Sequence, residues 1–190
     1  MKDAVVQVGD PVLKAVAKPV AKKDIGSRKL KNLIAKMSRT LAQEGYGVAI
    51  AAPQVGASLR LFVIAGKAFQ TDEEKKAFDE HNEGKVAPPD RVFINPEIVR
   101  LSRKKKEMSE GCLSVRGKYG TVMRYEKATI KAQGEDGKPF VYHGSGLIGH
   151  IFQHECDHLD GILYIEKAVQ LEEDEDIPSA RKKIKEKHGI

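Results

Sequence analysis

The chain has 190 residues with 41% hydrophobic content, about the size of one domain with one sizeable core. Its apolar runs are short and broken by charge, far from the roughly 20 residues that span a bilayer, and its first ten residues lack the apolar stretch of a secretory signal, so it reads as cytosolic. The 33 basic and 27 acidic residues give a net charge of +6, a mixed balance that fits an RNA-rich partner without requiring one, and 2 cysteines are too few for a disulfide framework.

After an extended N-terminal stretch, Leu30, Leu33, Ile34, Met37 and Leu41 recur at helical spacing and predict a core helix from about Ser27 to Glu44, with Gly45 placed to stop it. Short β-like runs follow at Leu61–Ile64, Val92–Ile94, Val99–Leu101 and Thr121–Met123. Then Ala128–Gln133 pairs with Phe140–His143 about an Asp136-Gly137 turn, and the set predicts antiparallel sheet. Between the first two runs, Thr71-Asp72-Glu73-Glu74 is a capping-box pattern, so residues 70–89 are expected to form a polar surface insertion with one short helix. From Gly146 to about Leu159 the spacing is helical again, with Leu147, Ile151, His154 and His158 on one face, before Gly161 returns the chain to the β-like Ile162–Ile165. Residues 170–190 read as a charged tail: an acidic block from Glu172 to Asp176, Pro178 placed to open a C-terminal helix, and a basic run through Lys187. With no repeat and no dividing linker, residues 1–190 are expected to form one catalytic domain.

The second helix carries the chemistry. His154-Glu155-Cys156-Asp157-His158 sets two imidazoles at i and i+4, one turn apart, where both can meet one ion with Glu155 beside it. A polar helix can carry such a motif by chance, but here the histidines share an apolar stripe. A catalytic site of this kind uses three protein ligands and leaves a position for water. The run Glu110-Gly111-Cys112-Leu113-Ser114 offers a third ligand, a thiol that would lose its proton near a divalent cation. Cys112 reads alternatively as a small buried hydrophobe, and Cys156 fits that reading better because it points away from the histidine face.

Three segments in this order, Gly47-Val48-Ala49-Ile50-Ala51-Ala52-Pro53-Gln54, Glu110 to Ser114, and Gln153 to Leu159, together resemble the peptide deformylase family. The similarity runs from the first helix to Ile165 and includes the Asn95-Pro96 step. It implies an α+β fold in which antiparallel β-sheets surround a central helix bearing the His-Glu-x-x-His-type motif. It also implies removal of the formyl group from formyl-methionyl nascent polypeptides, with release of formate, and one divalent ion: Fe2+ natively, with Zn2+ or Ni2+ able to substitute. The resemblance assigns the ion to Cys112, His154 and His158, makes Glu155 the general acid/base, and sets Gln54 with the backbone N–H of Leu113 at the oxyanion.

The resemblance further implies an apolar pocket for the methionine side chain, lined here by Val48, Met108, Leu147 and Ile151 together with His150, with Ala49 and Gly111 along the peptide. Met108 and Leu147 equally read as plain core residues. His150, one turn before His154, reads as a pocket polar group, a solvated rim residue or a further ligand; the rim is favoured because Cys112 completes the set. Asp157 and Arg124 match an acidic and a basic family position and are expected to pair behind the ligands, while Glu110 either joins them or is simple loop polarity. Ala49 stands where the first motif normally has a second glycine: an extended backbone there would tolerate alanine, a positive φ would not. Two other readings are a metalloamidase preferring another N-acyl group or first residue, and an inactive ribosome-associated relative. The joint presence of Gln54, Cys112, His154, Glu155 and His158 weighs against the latter. The basic run Arg181 to Lys187 reads as a ribosomal RNA contact or as a solvated helical end. Formylated initiation places the chain in a bacterial cytoplasm or an organelle of bacterial descent.

Overall fold

A computed structural model describes residues 4–70 and 88–173; the helices expected within 71–84 and after Pro178 lie outside the described residues. Helix α1 (Arg28–Gln43) forms where the spacing places it. Ser27 accepts a hydrogen bond from the Leu30 N–H at 3.2 Å, satisfying one of the donors a helix start leaves open. Leu30, Ile34, Met37 and Leu41 bury one stripe.

The strands are β1 (Ala49–Ala51), β2 (Leu61–Ile64), β3 (Arg91–Leu101), β4 (Lys105–Cys112), β5 (Val115–Tyr125), β6 (Lys127–Gln133), β7 (Pro139–Ser145) and β8 (Ala168–Glu173), with α2 (Gly146–Leu159) between the last two. These strands all pair antiparallel, in a five-stranded sheet of order β1-β2-β3-β6-β7 and a three-stranded sheet of order β4-β5-β8. This is the α+β arrangement the sequence leads one to expect. Among the described residues no helix is long and apolar enough to cross a membrane.

β2 explains how the helices are arranged. All four of its residues are buried, which requires cover on both faces. Successive side chains point to opposite sides. Leu61 and Val63 accordingly join the cluster under α1, while Phe62 and Ile64 join the cluster around Ile151, Phe152, Cys156 and Leu159 of α2. Phe93 stacks on Phe62 at 4.8 Å between ring centroids and meets Phe152 edge-on at 5.3 Å. α2 sits so close to β7 that a Cβ on Gly149 would lie 2.9 Å from the Gly144 carbonyl oxygen, so glycine is needed for the approach.

The structure differs from the sequence reading in four elements. Val92–Ile94 and Val99–Leu101 are one strand: Asn95 takes a positive φ of 50°, which asparagine tolerates, and a register shift carries Pro96 through. Asn95 also holds Val20 at both backbone groups, accepting from its N–H at 2.8 Å and donating to its carbonyl at 2.9 Å. Ile162–Ile165 is not a strand but runs into a 3₁₀ turn, Tyr164–Glu166, in which the Glu166 carboxylate accepts the Leu163 N–H at 2.7 Å. β4 was hidden by its charged start, Lys105-Lys106-Glu107. β8 takes up residues 170–173 of the expected tail and pairs with β5, with Lys118 on Glu173 at 2.6 Å.

Candidate metal centre

The β4–β5 turn is tight: Gly111 faces Tyr119, and one residue later the register slips so that Cys112 faces Val115. That slip sets the thiol at the end of β4 against the last turns of α2. There the His154 and His158 rings lie 4.9 Å apart, nearly perpendicular. Cys112 Sγ is 3.2 Å from His158 Nε2, and one donor atom from each of Cys112, His154 and His158 lies within 4.8 Å of the others. Among the described residues these three alone form such a group.

Behind them Glu110 is the hub. It is buried on β4, and its Oε2 accepts His154 Nδ1–H at 2.8 Å, which turns the other ring nitrogen toward the centre. Arg124 donates Nε to Oε1 at 2.6 Å and Nη2 to Oε2 at 3.1 Å, and its Nη1 reaches Asp157 Oδ2 at 2.6 Å. Lys167 closes the chain of charges on Asp157 Oδ1 at 2.6 Å. His150 is not at a solvated rim: it is buried, with Nε2 2.8 Å from Glu110 Oε1. The strand spacing explains this, because residues 108, 110 and 112 alternate onto the face of β4 that meets α2.

The electrostatics follow from those contacts. Burial opposes the Glu110 charge, but hydrogen bonds from His150, His154 and Arg124 outweigh it and hold the carboxyl far below the usual carboxylate range. Burial also opposes protonation of Arg124, and Glu110 with Asp157 overcomes it. At His154 burial is outweighed by Cys112 and Glu110, which raise its pKa well above that of free imidazole. At His150 burial wins over the Glu110 contact and lowers the pKa. Burial pushes the Cys112 thiol up, yet the charge of His158 and the hydrogen bonds of both histidines bring it down to about 5. Cys156, in the apolar core, is pushed up to about 12, mainly by burial.

Gln54 is buried in a 3₁₀ turn, Ala52–Val55. Its Oε1 accepts the Ala51 N–H at 2.8 Å, and its Nε2 donates to Ser114 Oγ at 3.2 Å and reaches Cys112 Sγ at 3.4 Å. Glu155 is buried, and burial raises its pKa. Its Oε2 and His158 Nδ1 have no hydrogen-bond partner, which a buried polar atom rarely tolerates. One ionised thiol, two imidazoles and an unpartnered carboxylate oxygen suit a divalent transition metal with one position left open.

A cleft of about 270 Å³ opens beside Cys112, between the Glu44–Gly47 loop and the β4–β5 turn, with Gly111, Leu113, Arg116 and Tyr119 in its walls. Of the residues expected to touch substrate, Gly111 and Leu113 border it. Val48, Leu147 and Ile151 pack into the core around Phe152, and Met108 is buried on β4 opposite Val122. Ala49 opens β1 opposite Ile64, and since Asn95 is the one non-glycine with positive φ among the described residues, position 49 does not need glycine's conformation. Ser114, which anchors Gln54, and the Tyr119 wall escaped the sequence reading. A cavity of about 280 Å³ near Arg91, Glu135, Phe140 and Tyr142 is lined by none of Cys112, His154 and His158.

A family model for polypeptide deformylase matches residues 2–174. The chain is 40% identical to the peptide deformylase of Carboxydothermus hydrogenoformans, over 86% of this chain and 91% of that relative. To peptide deformylase 1 of Pseudomonas syringae pv. tomato it is 35% identical, over 98% of this chain and 96% of the relative. Its fold is similar to the Met-Ala-Ser bound crystal structure of class I type b peptide deformylase from Acinetobacter baumannii, with a TM-score of 0.74 and 32% identity over 88% of this chain and 99% of that one.

Proposed function

The chain belongs to the polypeptide deformylase family and removes the N-formyl group of nascent peptides, and from that premise we propose that Cys112, His154 and His158 hold its metal ion while Glu155, Gln54 and Leu113 serve the reaction. The observation that carries the assignment is the convergence of three donor atoms within 4.8 Å beside a buried, unpartnered Glu155 oxygen. A divalent ion held there supplies Lewis acidity, bringing the pKa of a water toward neutrality and polarising a carbonyl.

The chain's own residues do the rest. Glu155 takes a proton from the attacking water and later delivers one to the leaving amine. Burial favours this, because a carboxylate whose pKa is raised accepts the proton of the attacking water more strongly than an ordinary one. Gln54 is oriented by the Ala51 N–H, and its amide N–H with the Leu113 backbone N–H stabilises negative charge on the former carbonyl oxygen. The thiolate of Cys112 needs no proton removed at neutral pH. Glu110, Arg124 and Asp157 hold His154 and brace α2. Gly111 and Ala49 flank the peptide backbone, and Val48, Met108, Leu147, Ile151 and His150 shape the side-chain subsite. The native ion is Fe2+, with Zn2+ or Ni2+ as working substitutes.

Anaerobic purification with metal analysis, paired with formate release from a formyl-Met peptide, tests this reading. Glu155→Ala is expected to keep its metal and lose about 10²- to 10⁴-fold in rate. Faster turnover of acetyl-Met or formyl-Ala peptides than of formyl-Met peptides would move the chain to another substrate. Residues 1–190 work as one domain, and the basic run from Arg181 docks the enzyme on ribosomal RNA in the cytoplasm. Ribosome affinity unchanged on deleting residues 178–190, across a salt series, would remove that role.

A further inference from the structure

Glu110 receives four N–H groups, two on each oxygen. Oε1 takes Arg124 Nε at 2.6 Å and His150 Nε2 at 2.8 Å, and Oε2 takes Arg124 Nη2 at 3.1 Å and His154 Nδ1 at 2.8 Å. A carboxylate only accepts, so both imidazoles point a protonated nitrogen at it. His150 and His154 are one turn apart on α2. Successive turns of one helix therefore grip opposite oxygens of one side chain on β4. The Arg124 fork sets the plane and register of the carboxylate from β5, and its longer arm is the one to Oε2, the oxygen that also meets His154. His150 holds Oε1 from α2, so the carboxylate is registered to the helix as well as to β5.

We propose that His150 is a positioning residue for the metal centre: by holding Oε1 it keeps Oε2 on His154 Nδ1, and so fixes the ring angle and the tautomer with which His154 meets the ion. The proposal rests on the assignment of Cys112, His154 and His158 as ligands. It gives His150 a role in the chemistry that runs through Glu110 and His154, and that role depends on one N–H rather than on an imidazole as such. Glutamine at 150 can present an N–H where Nε2 now stands; leucine fills the space and presents none.

The test compares wild type, His150→Gln and His150→Leu in three measurements on the folded, loaded enzyme: metal release to excess chelator, the visible spectrum of the Co2+-substituted protein, and kcat against KM for a formyl-Met peptide. His150→Leu is expected to release metal about 10-fold faster, to shift the cobalt bands, and to lose kcat more than KM, while His150→Gln recovers most of each. A purely structural histidine would lower the melting temperature in both variants without moving the cobalt bands. Should the leucine variant not fold, His150→Asn, whose shorter amide stops short of Oε1, takes its place in the comparison.

Metal release from the donor-less variant within about twofold of wild type, or equal loss in the glutamine variant, overturns the role. His154→Ala separates this from the underlying assignment. If that variant loses its metal while the donor-less one behaves as wild type, only the role of His150 falls. If it binds metal as wild type does, the centre itself has been misassigned.

Discussion

Cys112 Sγ lies 3.2 Å from His158 Nε2 although 46 positions separate them in the chain. Contact over that distance requires the end of β4 to meet the last turn of α2. Cys112→Ala should therefore purify with little metal, a loss larger than the about 10- to 100-fold typical of residues behind the ligands. Metal per protein chain, measured after the same purification, decides it: full occupancy in the variant would remove Cys112 from the ligand set.

The two thiols should differ sharply in reactivity. Cys112 is lowered to about 5 and Cys156 raised to about 12. At pH 7 the first is thiolate and the second is thiol, and only thiolate attacks an alkylating reagent. Once a chelator has stripped the metal, iodoacetamide should label Cys112 and spare Cys156, and added Zn2+ should protect Cys112. Peptide mapping by mass spectrometry reads the outcome; labelling of Cys156 before Cys112 would contradict it.

Gln54 offers a substitution that separates its two ends. Gln54→Glu keeps an acceptor for the Ala51 N–H and loses the Nε2 donor. Removal of an oxyanion donor typically lowers kcat by about 10²- to 10³-fold. Steady-state kinetics on enzyme of verified metal content should show that loss. Activity equal to wild type would leave stabilisation of the oxyanion to other groups.

Gly149→Ala sets propensity against packing. Alanine is the better helix former by about 1 kcal/mol. Yet the added Cβ would lie 2.9 Å from the Gly144 carbonyl oxygen and 3.3 Å from that of Glu126, both backbone atoms that cannot swing aside. The net effect should be destabilising by about 1–3 kcal/mol, read as a lower denaturant midpoint at unchanged slope. An increase in stability would mean that α2 does not sit so tightly on β7.

The elements legible in the sequence were those with local periodicity. α1 and α2 fall within a residue or two of their expected bounds, and β2 matches Leu61–Ile64 at both ends. β4 was not legible, because Lys105, Lys106 and Glu107 lead it with charge and its alternation starts only at Met108. That omission explains the mistaken placement of His150. Helical spacing alone shows which residues share its face, but only β4 brings Glu110 to that face, 40 positions earlier in the chain. The Arg124–Asp157 pair, 33 positions apart, was foreseen through the family resemblance; no local pattern contains it.

The centre also has a mechanical consequence. Cys112 terminates a strand of the smaller sheet, whereas both histidines ride on a helix backed by the larger one. An ion held by all three would rivet the two halves across a 46-residue span of chain. Withdrawing it should loosen that seam first, so a protease is expected to nick the β4–β5 hairpin of the chelated protein while the larger sheet stays closed.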